Sequence, residues 1–249
     1  MPRIPKIIHY IWLGGGKLDG LSQRCVNSWH EILPDYRIVR WDEKNSAGMI
    51  MSNDYAREAY AAKKYAFVSD YLRLRILFHK GGIYMDTDVE VIKPLDKFLD
   101  CGAFSSFEGE ANIPTALLGA AKGNGWIGYL LEYYRDRHFV KPNGKYDTAT
   151  NVEIITRLSA ERGFVADGRY QELFDDARIY PKEYFCPFDL SVRRMSVTEN
   201  TYAIHHYNGS WVPKWRKAVS RILVLIPIRS KRAKAKKLLA RIRRFISFK

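Results

Sequence analysis

The sequence has no acidic residue after Glu199, no apolar run of bilayer length and only three cysteines. Each shortage excludes something. The longest apolar run, Ile222 to Ile228, contains a proline and falls far short of the roughly 20 residues that span a bilayer. The N-terminus, MPRIPKIIHYIWLGGG, has no apolar stretch long enough for a signal peptide. Cys25, Cys101 and Cys186 are odd in number and widely spaced. That argues for reduced buried thiols and against a disulfide framework or a cysteine metal site. These absences predict a cytosolic protein. The first glycine turn, Gly14-Gly15-Gly16, fits neither G-x-G-x-x-G nor G-x-x-x-x-G-K-[ST], so neither a dinucleotide fingerprint nor a P-loop is claimed there.

The missing C-terminal acids also decide how to read the net charge of +14. Residues 214–249 hold 14 of the 41 Lys/Arg, whereas residues 1–213 hold 27 basic and 27 acidic residues. The body is formally neutral and the charge belongs to the tail. Within that tail Trp215, Val219, Ile222, Leu223 and Ile226 fit one helical stripe, broken by Pro227. Ala235, Leu238, Leu239, Ile242, Phe245 and Ile246 fit a second, with Lys/Arg opposite. The pattern predicts helices lying in the plane of an anionic membrane. An aliphatic stripe without aromatics placed for base stacking argues against nucleic acid. The expected division is therefore a globular domain, 1–213, and a basic membrane-associating tail, 214–249. At 47% apolar residues the body can bury a sizeable core.

Within the body, Ile4 to Leu13 is β-rich and ends at Gly14-Gly15-Gly16. Ser22 to Ile32 reads as a helix, Tyr36 to Trp41 as a second strand, and residues 42–64 as one or two helices. Strand, helix, strand at this spacing implies an α/β fold with a parallel sheet and right-handed crossover. Residues 65–93 organise the rest. From about Ala56 to Lys80 there is no Pro or Gly, and apolar residues recur at helical spacing, which predicts a buried helix. Gly81-Gly82 supply its stop. Ile83 to Met85 then reads as a buried strand running into Asp86-Thr87-Asp88. Asp70 and Arg73, three apart, share a helix face with Ala66 and Leu77 that should point inward. In an extended segment Tyr84, Asp86 and Asp88 point to one side. Two carboxylates so close need a cation between them, and oxygen ligands suit Mg2+ or Mn2+.

The run Ser69 to Asp88 fits S-D-x-x-R-x-x-x-L-x-x-x-G-G-x-Y-x-D-x-D. It resembles the DxD glycosyltransferases of family 32. That group includes bacterial capsule and lipooligosaccharide sugar transferases, yeast mannosyltransferases and the glucosylating domains of large clostridial toxins. The resemblance implies a nucleotide-sugar-binding Rossmann-like fold of the GT-A type and a retaining, metal-dependent hexosyl transfer. It further implies that Trp12 stacks on the nucleotide base, and that Asp86 holds the ribose and the cation, with Asp88 also on the cation. Asp70 and Arg73 would contact the donor sugar, and Ser69 and Tyr84 would line its site. A late segment, His205-His206-Tyr-Asn-Gly-Ser210-Trp211, is similar to the family's H-x-x-x-x-S-W. There a histidine is a further metal ligand, while Ser210 and Trp211 close over the diphosphate. Strand alternation lets one of His205 and His206 face the site, and the family spacing favours His205. Asn151 is a donor-sugar or acceptor candidate by looser resemblance, with a helix cap as the preferred explanation.

Taken with the tail, the expected partners are a nucleotide-sugar (UDP-sugar favoured, GDP-sugar possible), a lipid-linked or lipooligosaccharide acceptor and an anionic membrane. The expected location is cytoplasmic, peripheral on the inner face of the membrane, in capsule or lipopolysaccharide synthesis. Alternatives from other classes are a metal-dependent nucleotidyl- or phosphotransferase and an inactive membrane-bound sugar-binding module.

Overall fold

A computed structural model describes residues 3–189 and 194–208. All of these fall in the compact unit that ends at Asn208. The tail stripes, Ser210 and Trp211 lie outside the described residues, as does the expected boundary at 213. In chain order the strands are β1 (Ile7–Ile11), β2 (Arg37–Trp41), β3 (Gly82–Met85), β4 (Val89–Val91), β5 (Ala103–Ser106), β6 (Leu117–Ala120), β7 (Gln171–Leu173), β8 (Ala177–Tyr180), β9 (Phe188–Asp189), β10 (Arg194–Met195) and β11 (Ala203–His205). The α-helices are α1 (Gly20–Ile32), α2 (Glu43–Met51), α3 (Asp54–Ala61), α4 (Tyr65–Lys80), α5 (Gly125–Glu132) and α6 (Asn151–Ala160).

Seven strands form one sheet in the order β2-β1-β3-β6-β5-β8-β7. The β2-β1-β3 half is parallel, as the strand, helix, strand spacing predicts. β6 then enters antiparallel between β3 and β5, and β7 is antiparallel to β8. The result is a mixed α/β sheet with five of its strands running one way. β4 and β11 pair separately, and so do β9 and β10.

Apolar alternation on β3 divides the core in two. Ile83 and Met85 pack on one face with Trp29 of α1, Phe98 and Phe104. Tyr84 points to the other, among Val68, Leu72 and Ile76 of α4 and Trp126 of α5. Helices on both faces satisfy a sheet whose strands are apolar on both sides.

Two sequence expectations change. The helix expected over 56–80 is two helices, because Lys63 adopts a left-handed backbone (φ 56°) between α3 and α4. Apolar periodicity on both sides of that break hides it from a window-based reading. Also, β3 stops at Met85, and Asp86-Thr87-Asp88 is a turn closed by Val89 N–H donating to the Asp86 carbonyl at 3.0 Å. Asp and Thr form such turns readily because their side chains compete for local backbone groups.

The α4–β3 junction is fixed by two glycines and a histidine. Gly81 and Gly82 have φ of 66° and 109°, and a Cβ on Gly82 would meet the Ile7 carbonyl at 2.6 Å. No other residue type fits there. Buried His9 on β1 bonds the Gly81 carbonyl through Nε2 at 2.9 Å and meets Trp41 Nε1 through Nδ1 at 3.1 Å. An indole N–H can only donate, so Nδ1 accepts, and Nε2 carries the proton that Gly81 receives. Burial lowers the His9 pKa to about 4, which keeps this ring neutral. Its position inside an apolar strand gave no sign of this work.

Candidate active site

α4 delivers Asp70 and Arg73 to the carboxyl end of β3. Arg73 is buried, and all three of its nitrogens are engaged. Nε donates to the Ser69 carbonyl at 3.1 Å and Nη1 to the Thr115 carbonyl at 2.9 Å. Nη2 lies 3.1 Å from Asp70 Oδ1 and 3.8 Å from Asp86 Oδ1. Its guanidinium also stacks over the Tyr84 ring at 4.8 Å. Burial opposes its charge, but Tyr84, Asp86 and Asp70 outweigh that and raise its pKa. A guanidinium held by so many partners orients Asp70 and Asp86 rather than swinging toward a ligand. Asp70 behaves differently. Burial raises its carboxyl to about 6, outweighing Arg73, and Asp86 adds repulsion. An acid in that range is still mostly ionised at neutral pH and takes up its proton on mild acidification.

Tyr84 and Asp86 face the same way, and the Tyr84 hydroxyl donates to Asp86 Oδ1 at 2.6 Å. Asp88 is held from the far side. Asn208 N–H donates to its Oδ2 at 2.7 Å, and His206 N–H donates to its backbone carbonyl at 2.9 Å. His205, placed by β11 pairing with β4, lies with Nε2 3.5 Å from Asp88 Oδ1. Burial would lower the His205 pKa, but the Asp88 hydrogen bond and charge, with Cys186 alongside, raise it. Asp88 is correspondingly held low, burial being outweighed by His205 and the Asn208 N–H. Ligand atoms of Asp86, Asp88 and His205 all lie within 4.8 Å of one another. Two carboxylates and an imidazole suit a small divalent cation, which would replace the proton that His205 carries. Donor chemistry and spacing both fit such an ion. His206 turns away from this cluster, its Nε2 meeting Glu90 at 2.7 Å, because adjacent strand residues point to opposite faces.

Trp12 is half-buried at the end of β1, where its indole N–H closes the glycine turn on the Gly16 carbonyl at 2.7 Å. Gly14 N–H in that turn donates to Glu43 at 2.6 Å. Ser69 donates back to the Tyr65 carbonyl at 3.0 Å, as hydroxyls on helices often do. Asn151 is no solvated cap. Thr150 caps α6, in a capping box with Glu153. Asn151 is buried, accepts from the Tyr134 hydroxyl at 3.2 Å and donates to the Asp70 carbonyl at 3.4 Å. The T-x-x-E pattern at 150–153 was the available signal that the cap lies one residue earlier. Asn208 and the Thr115 carbonyl carry no such signal. They meet Asp88 and Arg73 through the main chain, while the Asn208 side chain donates to Asp19 at 2.8 Å.

Residues 21–105 match the family described as glycosyltransferase sugar-binding region containing DXD motif. The match covers α1 through most of β5 and ends beyond the Asp86-Thr87-Asp88 turn. Over that stretch the chain is similar to glycosyltransferases of this DXD family. An uncharacterized glycosyltransferase of Acanthamoeba polyphaga mimivirus is 26% identical over 220 residues, covering 84% of either chain. Inositol phosphoceramide mannosyltransferase 3 of Schizosaccharomyces pombe is 30% identical over 139 residues, 53% of this chain and 37% of the yeast one. The chain thus spans little more than a third of that yeast relative. Among solved structures, PaToxG glycosyltransferase gives a TM-score of 0.48 at 20% identity, covering 64% of this chain and 69% of its own. Galactosyltransferase LgtC, solved with donor and acceptor sugar analogs, gives 0.44 at 14% identity, covering 92% and 99%. Both likenesses are loose.

Proposed function

We propose that this glycosyltransferase is a metal-dependent, retaining hexosyltransferase of the GT-A type that uses a nucleotide-diphosphate sugar. The observation that carries this reading is the convergence of Asp86, Asp88 and His205 within 4.8 Å, beside a fixed Asp70–Arg73 pair. A divalent cation there, Mn2+ or Mg2+, would offset the negative charge that develops on the leaving diphosphate. Arg73 holds Asp70 and Asp86 in place. Asp70, beside buried Asn151, accepts hydrogen bonds from the sugar hydroxyls, and Tyr84 orients Asp86. Trp12 supports the base, and Ser69 lines the donor site. UDP-sugars are the first donors to test and GDP-sugars the second.

The acceptor in this reading is a membrane-associated glycan, of the kind used in capsule or lipopolysaccharide synthesis. The 14 basic residues and two apolar stripes of 214–249 would hold the enzyme on the inner face of an anionic membrane. Yeast relatives named for inositol phosphoceramide, a lipid acceptor, accord with that placement. The test is hydrolysis or transfer of UDP- and GDP-sugars with Mn2+ and a lipid-linked acceptor. Metal-dependent turnover of one of them supports the reading, and inertness toward all of them defeats it. For the membrane part, a chain lacking 214–249 should lose binding to vesicles containing phosphatidylserine. Unchanged binding would remove the tail from the proposal.

A further inference from the structure

Among the described residues, four non-glycines have positive φ: Lys63, Asp175, Asp176 and Tyr207. Lys63 and Asp175 sit in exposed turns, and Asp tolerates this region through its short polar side chain. Tyr207, at φ 51°, is the aromatic of the set, and it lies two residues beyond His205. A bulky side chain stays in this conformation only where its surroundings over-determine it. Glycine or asparagine would meet the backbone requirement more easily, so the presence of a ring implies that the ring is used.

Two contacts show how. The Tyr207 ring covers the His205 imidazole, with centroids 3.9 Å apart and planes 35° from parallel. Phe188 stands on Tyr207 as well, with centroids 6.0 Å apart. The backbone turn at Tyr207 also brings two N–H groups onto Asp88, from His206 to its carbonyl and from Asn208 to its Oδ2. With Oδ2 occupied, Oδ1 is the oxygen left facing His205 Nε2. By geometry His205 Nδ1 is buried with no hydrogen-bond partner among the described residues, and a thiol such as the neighbouring Cys186 makes too weak a bond to fix the ring plane. Metal-binding histidines ordinarily rely on such a bond to be oriented. Here a stacked aromatic stands in its place.

We propose that Tyr207 is a positioning residue for the cation site. Its left-handed backbone pins one oxygen of Asp88 through the Asn208 N–H, and its ring fixes the plane of His205. The inference rests on the cation site proposed above and adds a residue outside its three candidate ligands.

The experiment measures Mn2+ affinity of the full chain by electron paramagnetic resonance, without substrate, for wild type and the Phe, Gly, Asn and Val variants at Tyr207. Wild type is measured first, and absence of Mn2+ binding there would overturn the cation site itself. Tyr207→Phe retains ring and backbone and should bind within about threefold of wild type. Tyr207→Gly retains the backbone without the ring and should bind about tenfold more weakly, with an altered bound-Mn2+ spectrum. Tyr207→Asn, which also tolerates the left-handed region, should match it and guards against a glycine variant that folds poorly. Tyr207→Val loses ring and backbone together and should approach a hundredfold loss. Unfolding temperatures in EDTA for Phe, Gly and Asn should agree within a few degrees. If Gly and Asn bind Mn2+ like wild type, or Phe binds as weakly as Gly, the inference fails.

Discussion

On the α4 side of the site, a single guanidinium reaches its partners through its own side chain, and Arg73, Asp70 and Asp86 lie within 17 residues of one another. On the β11 side, Asp88 is gripped by main-chain N–H groups from a segment 120 residues away. The first half is deeply buried and depends on charge balance. The second half depends on backbone shape. Changing the charge on the first side should therefore shift stability in either direction, and losing a side chain on the second should cost ligand binding.

The largest expected effect is at Arg73. Arg73→Met leaves Asp70 and Asp86 without their buried cation and should cost about 3–5 kcal/mol, read from denaturant unfolding. A cost under 1 kcal/mol would mean that the α4 half is not charge-balanced. Asp70→Asn should do the opposite to stability. A carboxyl raised to about 6 is destabilised when ionised, so the variant should gain on the order of 1–3 kcal/mol at pH 7. Sugar transfer should still fall by about 100-fold or more, because the donor loses its anchor.

Titration sharpens the same contrast. Asp70 has a raised pKa, so its contribution is fully present below about pH 4 and is lost as pH rises through about 6. His9 has a lowered pKa, so its contribution is present above about 6.5 and is lost as pH falls through about 4. Each is worth about 3 kcal/mol and they oppose each other. Asp70→Asn should unmask the His9 slope, with stability falling by about 3 kcal/mol between pH 6.5 and 4 relative to wild type. Equal pH profiles for the two proteins would contradict this assignment.

On the β11 side the smallest effect separates two adjacent histidines. His205→Ala should abolish Mn2+ binding. His206→Ala, which breaks only the partly exposed pair with Glu90, should cost less than about 1 kcal/mol and leave Mn2+ affinity within about threefold.

The contrast also explains what could be read in advance. Ser69 to Asp88 is a local unit, so helical spacing, two glycines and a strand's alternation were enough to place Asp70, Arg73, Tyr84 and Asp86 together. The parallel half of the sheet followed from strand and helix spacing. The antiparallel insertion of β6 did not, because no local pattern encodes which strands become neighbours. The break at Lys63 was invisible because apolar periodicity continues on both sides of it. Asn208 and the Thr115 carbonyl act through backbone geometry, which residue type does not announce. His9 looked like one more member of an apolar strand, yet it holds the glycine junction from which β3 starts.

The central claim is that Asp86, Asp88 and His205 together create a cation-dependent donor site. Calorimetric binding of UDP to wild type, Asp88→Asn and His205→Ala, each with Mn2+ and with EDTA, tests it most directly. The account predicts that wild type binds UDP at least tenfold more tightly with Mn2+, and that neither variant responds to the metal. Equal UDP affinity with Mn2+ and EDTA in wild type, or an undiminished Mn2+ response in both variants, would contradict it.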